Sequence, residues 1–171
     1  MGEAGMIRPA TADDAGAIAE IYDHYIRNTV ITFEEVSVNG AGMLARIEGV
    51  QGAGLPWLVA EDGGRVVGFA YAGEWKGRCA YRHTVEITVY VGPESTGRGW
   101  GSRLYDELFR VLRAGSTHVA IAGIALPNPE SIALHERFGM QKVAHFAEVG
   151  CKFDRWIDVG YWQIILQQPT G

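Results

Sequence analysis

An α/β fold built on a mixed, twisted sheet is the class that this 171-residue sequence predicts. Three observations carry the prediction. Runs of period-two alternation are interleaved with runs of helical spacing. The apolar run Val119–Leu126 has strand length and reads as a strand covered on both faces. A glycine-rich turn, Gly97-Arg98-Gly99-Trp100-Gly101, joins a strand directly to a helix, as in α/β units. Length and a hydrophobic content of 47% fit one domain over residues 1–171 with its own core, its ends at about 1–5 and 167–171 being expected to be flexible.

The elements follow in order. Met6–Pro9 is a short first strand. Thr11, with Asp14 three residues on, marks a helix start, and Ile18, Ile21, Tyr22, Tyr25 and Ile26 recur behind it at helical spacing. Asn28–Glu35 is a β-branched and aromatic connection, followed by a weaker helix over Ala41–Val50. Pro56–Glu61 and Arg65–Ala72 are strands around the hairpin signal Asp62-Gly63-Gly64. Gly73–Tyr81 is a loop that carries Trp75, Lys76, Arg78 and Tyr81. In His83–Val91, Val85, Ile87, Val89 and Val91 face one way while Thr84, Glu86, Thr88 and Tyr90 face the other. After the glycine turn a helix runs to about Ala114 on a stripe of Leu104, Leu108, Val111 and Leu112, and Gly115 closes it. Asn128 and Pro129 open another helix as cap and first residue, Gly139 ends it, and the strands Lys142–Lys152 and Ile157–Leu166 complete the chain. The sum is about six to seven strands with about four helices.

Composition narrows the function. A net charge of −5 disfavours a general binder of nucleic acid or anionic membranes. No apolar run approaches the roughly 18 residues that span a bilayer, and Met1–Met6 has neither a basic nor an apolar signal region, so a cytoplasmic protein is expected. Cys79 and Cys151 form no disulfide framework, and His24, His83, His118 and His145 show no ligand spacing, so no metal is expected.

The strand, glycine turn and helix form the unit with chemistry. The N–H groups and dipole of a helix N-terminus favour a phosphate, and Arg98 adds a charge; the bland alternative is a tight turn that happens to be rich in glycine. No Gly-Lys-Ser/Thr follows, and Gly99-Trp100-Gly101-Ser102-Arg103-Leu104 lacks the third glycine of a dinucleotide site. ATP and NAD are thereby disfavoured.

The segment Thr84–Val91 together with Thr96-Gly97-Arg98-Gly99-Trp100-Gly101 resembles the acetyl-CoA motif of the GNAT superfamily of N-acetyltransferases, with Thr96 departing from the usual Gln or Arg. Ile7–Ala10, Pro56–Ala60, Trp75–Arg78, Asn128–Ser131 and Asp158–Gln163, taken in order, resemble the phosphinothricin and methionine sulfoximine acetyltransferases. The resemblance implies acetyl transfer from acetyl-CoA to the amine of a small amino-acid-like molecule, in a homodimer. It implies two parallel strands that splay apart after Val91 and Leu126. The backbone of Val89, Tyr90 and Val91 would hold the pantetheine arm, and Gly97, Arg98, Gly99, Trp100, Gly101 and Ser102 the pyrophosphate, with Asn128 as a further cofactor contact.

Glu86 matches the family's general base and His135 a second catalytic position, at which a packing histidine is the plainer alternative. Lys76, Gly77 and Arg78 match the family's substrate loop, with Phe33, Tyr81, Ile87 and Thr88 beside it; a solvated basic loop is the plainer alternative there. Other acceptors (peptide N-termini, lysines or polyamines) and a non-catalytic acetyl-CoA-binding module remain open.

Overall fold

The computed structural model describes residues 5–166; most of the two stretches expected to be flexible lie outside the described residues. Gly5 is described, and its carbonyl accepts a hydrogen bond from the Arg103 guanidinium. The elements are β1 (Met6–Pro9), α1 (Ala15–Asn28), α2 (Gly40–Gly52), β2 (Trp57–Asp62), β3 (Arg65–Glu74), β4 (Thr84–Val91), α3 (Trp100–Ala114), β5 (Val119–Ala125), α4 (Pro129–Arg137), β6 (Gln141–Lys152) and β7 (Arg155–Ile165). This is the order read from the sequence. The strands form one sheet in the order β1-β2-β3-β4-β5-β7-β6, in which β4 and β5 are parallel and the other neighbours antiparallel.

Local chemistry sets the boundaries. The Asp14 carboxylate accepts the Thr11 backbone N–H at 2.7 Å, so the helical region opens with a 3-10 turn over Ala12–Asp14 before α1. Asn39 accepts from the Gly42 N–H at 2.8 Å and Asn128 from the Ser131 N–H at 3.1 Å, capping α2 and α4. Asp62 pairs with Arg65 and leaves Gly63-Gly64 as the two-residue hairpin turn. β3 runs two residues further than expected because Gly73 and Glu74 still pair with Glu86 and Val85.

The two faces of the sheet carry two cores. Leu104, Tyr105, Leu108, Phe109 and Leu112 of α3 pack on Val85, Ile87, Ala120, Ala122 and Ile124. Ile18 and Ile21 of α1 and Met43 and Ile47 of α2 pack with Trp57, Val59 and Phe69 on the other face. Complete burial of Leu104 and Leu108 contributes about 1.5–3 kcal/mol each.

Two expectations are corrected. β5 is not covered on both faces: Ala120, Ala122 and Ile124 are buried, but Ile121 is half-buried and Gly123 is exposed. Its apolar run reflects one buried face and one face that opens on a cleft. The parallel strands also part earlier than expected. Pairing covers Thr84↔Val119, Val85↔Ala120 and Glu86↔Ile121 and stops there, within the strands rather than after Val91 and Leu126.

Candidate active site

The gap between β4 and β5 is the floor of a cleft made of two connected spaces. One, of about 270 Å³, is lined by Glu86, Ile87, Thr88, Gly123, His135 and Tyr161 among others. The second, of about 490 Å³, runs along Val91 to the turn Thr96–Ser102. They share Ile31, Val89, Tyr90, Asn128 and Ser131.

Glu86 is half-buried on the cleft side of β4. Its carboxylate has no hydrogen-bond or ion-pair partner among the described residues, and burial raises its pKa above the ordinary carboxylate range. Gly123 lies across the gap from it: a Cβ there would stand 3.6 Å from Glu86 Oε1 and 3.1 Å from the Tyr161 ring. The absent side chain leaves room for Tyr161 to lie beside the carboxylate.

His135 is buried, 4% exposed, one turn inside α4 from Ser131. Its Nδ1 lies 2.7 Å from the Ser131 carbonyl, which only accepts, so Nδ1 carries the proton. Nε2 is therefore the acceptor, and the Tyr105 hydroxyl donates to it at 2.9 Å. Burial holds the His135 pKa below its ordinary value, so the ring is neutral at neutral pH. Tyr105 is fully buried, and desolvation pushes its pKa upward.

The glycine turn is shaped as an anion cradle at two of its three glycines. Gly97 and Gly99 have φ of 73° and 82°, and nothing lies within 4 Å of a Cβ built on either. Gly99 is the residue before α3, so the free N–H groups of the first turn face outward. Gly101, expected to share that freedom, has ordinary helical φ and packs near Leu134. The Trp100 side chain is buried in the core, which leaves only its backbone to the cleft. Arg98 is exposed and lies 3.8 Å from Asp62.

The structure thus brings Glu86, Ile87, Thr88, Val89, Tyr90, Val91, Gly97, Gly99, Trp100, Gly101, Ser102, Asn128, His135 and Phe33 to one cleft. Lys76, Gly77, Arg78 and Tyr81 are exposed on the loop after β3 and do not line either space; Lys76 sits over the Trp75 ring at 5.6 Å. Sequence reasoning missed Tyr105, Tyr161 and Tyr25. Tyr105 reads as one more buried position of an amphipathic helix, and only the fold brings it to His135. The Tyr25 hydroxyl donates to the Val91 carbonyl at the cleft edge of β4. Arg137 also was not anticipated: it reaches Ser102 Oγ at 3.1 Å and brings a cation to the start of α3.

Comparisons with known proteins point to one family. Residues 7–160 match the family model described as an acetyltransferase (GNAT) domain. The phosphinothricin N-acetyltransferase of Streptomyces viridochromogenes is 40% identical over 96% of this chain and 89% of its own. The L-methionine sulfoximine/L-methionine sulfone acetyltransferase of Salmonella typhimurium is 38% identical over 96% of this chain and 96% of its own. The structure of yncA from Salmonella typhimurium, solved with its cofactor acetyl-CoA, is 37% identical with a TM-score of 0.95, covering 99% of this chain and 98% of that one.

Proposed function

The chain belongs to the GNAT family of acetyl-CoA-dependent N-acetyltransferases, and we propose that its acceptor is the amino group of a small amino-acid-like molecule of the phosphinothricin, methionine sulfoximine or methionine sulfone type. The observation that carries the proposal is the Glu86 carboxylate, unpaired and half-buried where the β4–β5 ladder ends, facing a space of small-molecule size.

Acetyl-CoA is the second substrate and supplies the thioester. The residues present fit it. The positive-φ cradle at Gly97 and Gly99 has open space where a Cβ would stand, and the edge of β4 beyond Glu86 has no β5 partner. On this reading the N–H groups of residues 97–102 hold the pyrophosphate, as helix N-termini do. The backbone of Val89, Tyr90 and Val91 holds the pantetheine arm as an added strand, with Asn128 alongside.

Glu86 takes the proton from the arriving ammonium, directly or through water, and frees the amine lone pair for attack on the acyl carbon. The C–S bond of the thioester then breaks, and CoA leaves as the thiol with the proton that the nitrogen gives up on becoming an amide. Its raised pKa suits this task, because a stronger base is a better proton acceptor near neutral pH. The hydrogen bonds of His135 support a positioning role: its one proton is used on Ser131 and its lone pair holds the Tyr105 hydroxyl. Lys76 and Arg78 remain the proposed carboxylate contacts, reached as the acceptor extends beyond the lined space. A homodimer is proposed as well. Val143, Phe146, Val149, Phe153 and Trp156 leave large apolar side chains exposed on the β6–β7 hairpin at the sheet edge, which suits burial against a second copy.

A thiol-release assay with acetyl-CoA and a panel of methionine sulfoximine, methionine sulfone, phosphinothricin and peptide amines tests the reading. Saturable turnover is expected with one or more of the first three. Turnover with peptide amines alone would overturn it.

A further inference from the structure

The segment between α1 and α2 forms no helix or strand, yet Ile31, Thr32 and Phe33 make one wall of the cavity that holds Glu86. A wall of irregular backbone keeps its shape only if something outside it fixes it. Here it is fixed from two sides. On the helix side, Thr32 Oγ1 and Tyr22 Oη are hydrogen-bonded at 2.7 Å, and Arg46 grips the Glu34 carboxylate at 2.9 and 2.6 Å.

On the sheet side the contacts come from the far end of β6. Lys152 Nζ donates to the Thr32 carbonyl at 2.8 Å. Phe33 lies directly on Gly150: a Cβ built there falls well inside van der Waals contact of the ring. Lys152 is 2% exposed, an uncommon place for a lysine; burial lowers its pKa, Glu35 and Glu34 offset part of that, and the Phe153 ring lies 5.2 Å from Nζ. The hairpin delivers it there through a two-residue turn, Phe153-Asp154, whose residues both have left-handed φ, 53° and 55°. An apolar side chain would fill the same volume without the desolvation cost, so the ammonium is kept for the bond it makes.

We propose that Lys152 and Gly150 are positioning residues that latch the Ile31–Phe33 wall and thereby set the size of acceptor the enzyme takes. The inference rests on reading this cavity as the acceptor site. Gly150 limits how far Phe33 can withdraw from the cavity, and the Lys152 bond holds the backbone that carries Phe33. An added methyl at 150 must push the ring toward its open side. Neither residue lines the cavity, so their effect reaches the acceptor only through the wall.

Three variants test this: Gly150→Ala, Lys152→Met and Phe33→Ala, with the Gly150→Ala/Phe33→Ala double variant. Gly150→Ala is expected to raise the KM for methionine sulfoximine about tenfold, the scale of one misplaced methylene in a pocket, while the KM for acetyl-CoA stays within about twofold. In the Phe33→Ala background the same change is expected to have no further effect, because the ring it displaces is gone. Lys152→Met is expected to speed amide hydrogen exchange over residues 31–35 about tenfold, the consequence of losing one charge-assisted bond. A drop in Tm with acceptor KM and exchange unchanged would overturn the proposal, as would a Gly150→Ala effect that persists without Phe33. Exchange needs no acceptor. If no amine in the panel is acetylated, the functional reading fails on its own and the exchange data still decide the latch.

Discussion

The Tyr105 hydroxyl and His135 Nε2 are hydrogen-bonded at 2.9 Å inside the protein, with the opposite face of the imidazole committed to the Ser131 carbonyl. The pair links α3 to α4 beneath the open strands, and both residues reach the cavity. The ring is held as a neutral acceptor. Burial lowers its pKa, so the folded protein takes up a proton less readily than the unfolded chain. The contribution of His135 to stability is therefore whole above about pH 6.5 and declines below it until the folded-state pKa is passed, by at most about 1.4 kcal/mol per pH unit. Urea unfolding at pH 7.5 and 5.5 should show this decline in the native protein and a smaller one in His135→Gln. In steady-state kinetics His135→Gln is expected to lower kcat without moving the acid-side midpoint of the pH profile.

On the proposed mechanism that midpoint belongs to Glu86. Its desolvated carboxylate loses its proton at a higher pH than an ordinary glutamate, about 4.3. Below the raised value the base is protonated and turnover falls. Glu86→Gln should lower kcat/KM about 100-fold or more at neutral pH, the scale of a lost general base. The ratio of native to variant rates should be flat above the raised pKa and shrink below it, which separates the enzyme's titration from that of the amine. A ratio independent of pH from 5 to 8 would remove Glu86 as the base.

Gly99 separates backbone strain from ligand contact. At φ 82° an alanine costs about 1–2 kcal/mol, but no neighbouring atom lies within 4 Å of its methyl group. Gly99→Ala is expected to fold with a modestly lower Tm. Its KM for acetyl-CoA should rise more than tenfold if, as proposed, the pyrophosphate approaches this turn. Gly52→Ala serves as the control, since it is a glycine with an open Cβ site on a helix away from the cleft.

Stability in acid turns on Asp14. It is 5% exposed and accepts the Arg8 guanidinium at 2.8 and 2.9 Å as well as the Thr11 N–H, and the Arg8 bond above all lowers its pKa. A depressed carboxylate pKa adds stability that is complete above the unfolded value, about 3.9, and lost as pH falls through the folded value. Asp14→Asn should cost about 2–3 kcal/mol near pH 7. The gap from the native protein in denaturant midpoint should close only below about pH 4.

Much of the fold was legible because its signals are local. Asn128-Pro129 caps a helix wherever it stands, the Asp62-Gly63-Gly64 turn declares a hairpin, and the Val85/Ile87 alternation declares a strand. Glu86 stood out locally as a carboxylate inside a strand, on the face opposite the valines, while its role as a base came from the family resemblance. Other features depend on distance in sequence. Tyr105 and His135 are 30 positions apart and Thr32 and Lys152 are 120, and nothing in either neighbourhood announces the partner. The opening of the sheet after Glu86 was misplaced because the family resemblance puts the splay at the strand ends, and Val119–Leu126 reads as covered on both faces because it is uniformly apolar. Gly123 there is small rather than covered, and hydrophobicity alone does not distinguish the two. The Phe153-Asp154 turn was hard to read because Asp tolerates left-handed backbone but Phe rarely adopts it, and no glycine marks the turn.

The three paired positions between β4 and β5 also make the sheet a mechanical object of two plates. β1 to β4 form one and β5 to β7 the other, and the seam between them is shorter than any other in the sheet, the next being the four paired positions of β1 with β2. Such a seam transmits bending poorly, and the helices that straddle it carry the remaining load. A molecule wedged beyond the seam would act as a strut, adding stiffness where the strands lack one another. Its signature would be a fall in the amplitude of relative plate motion, and slower exchange at the outer ends of both strands, with little change in average shape.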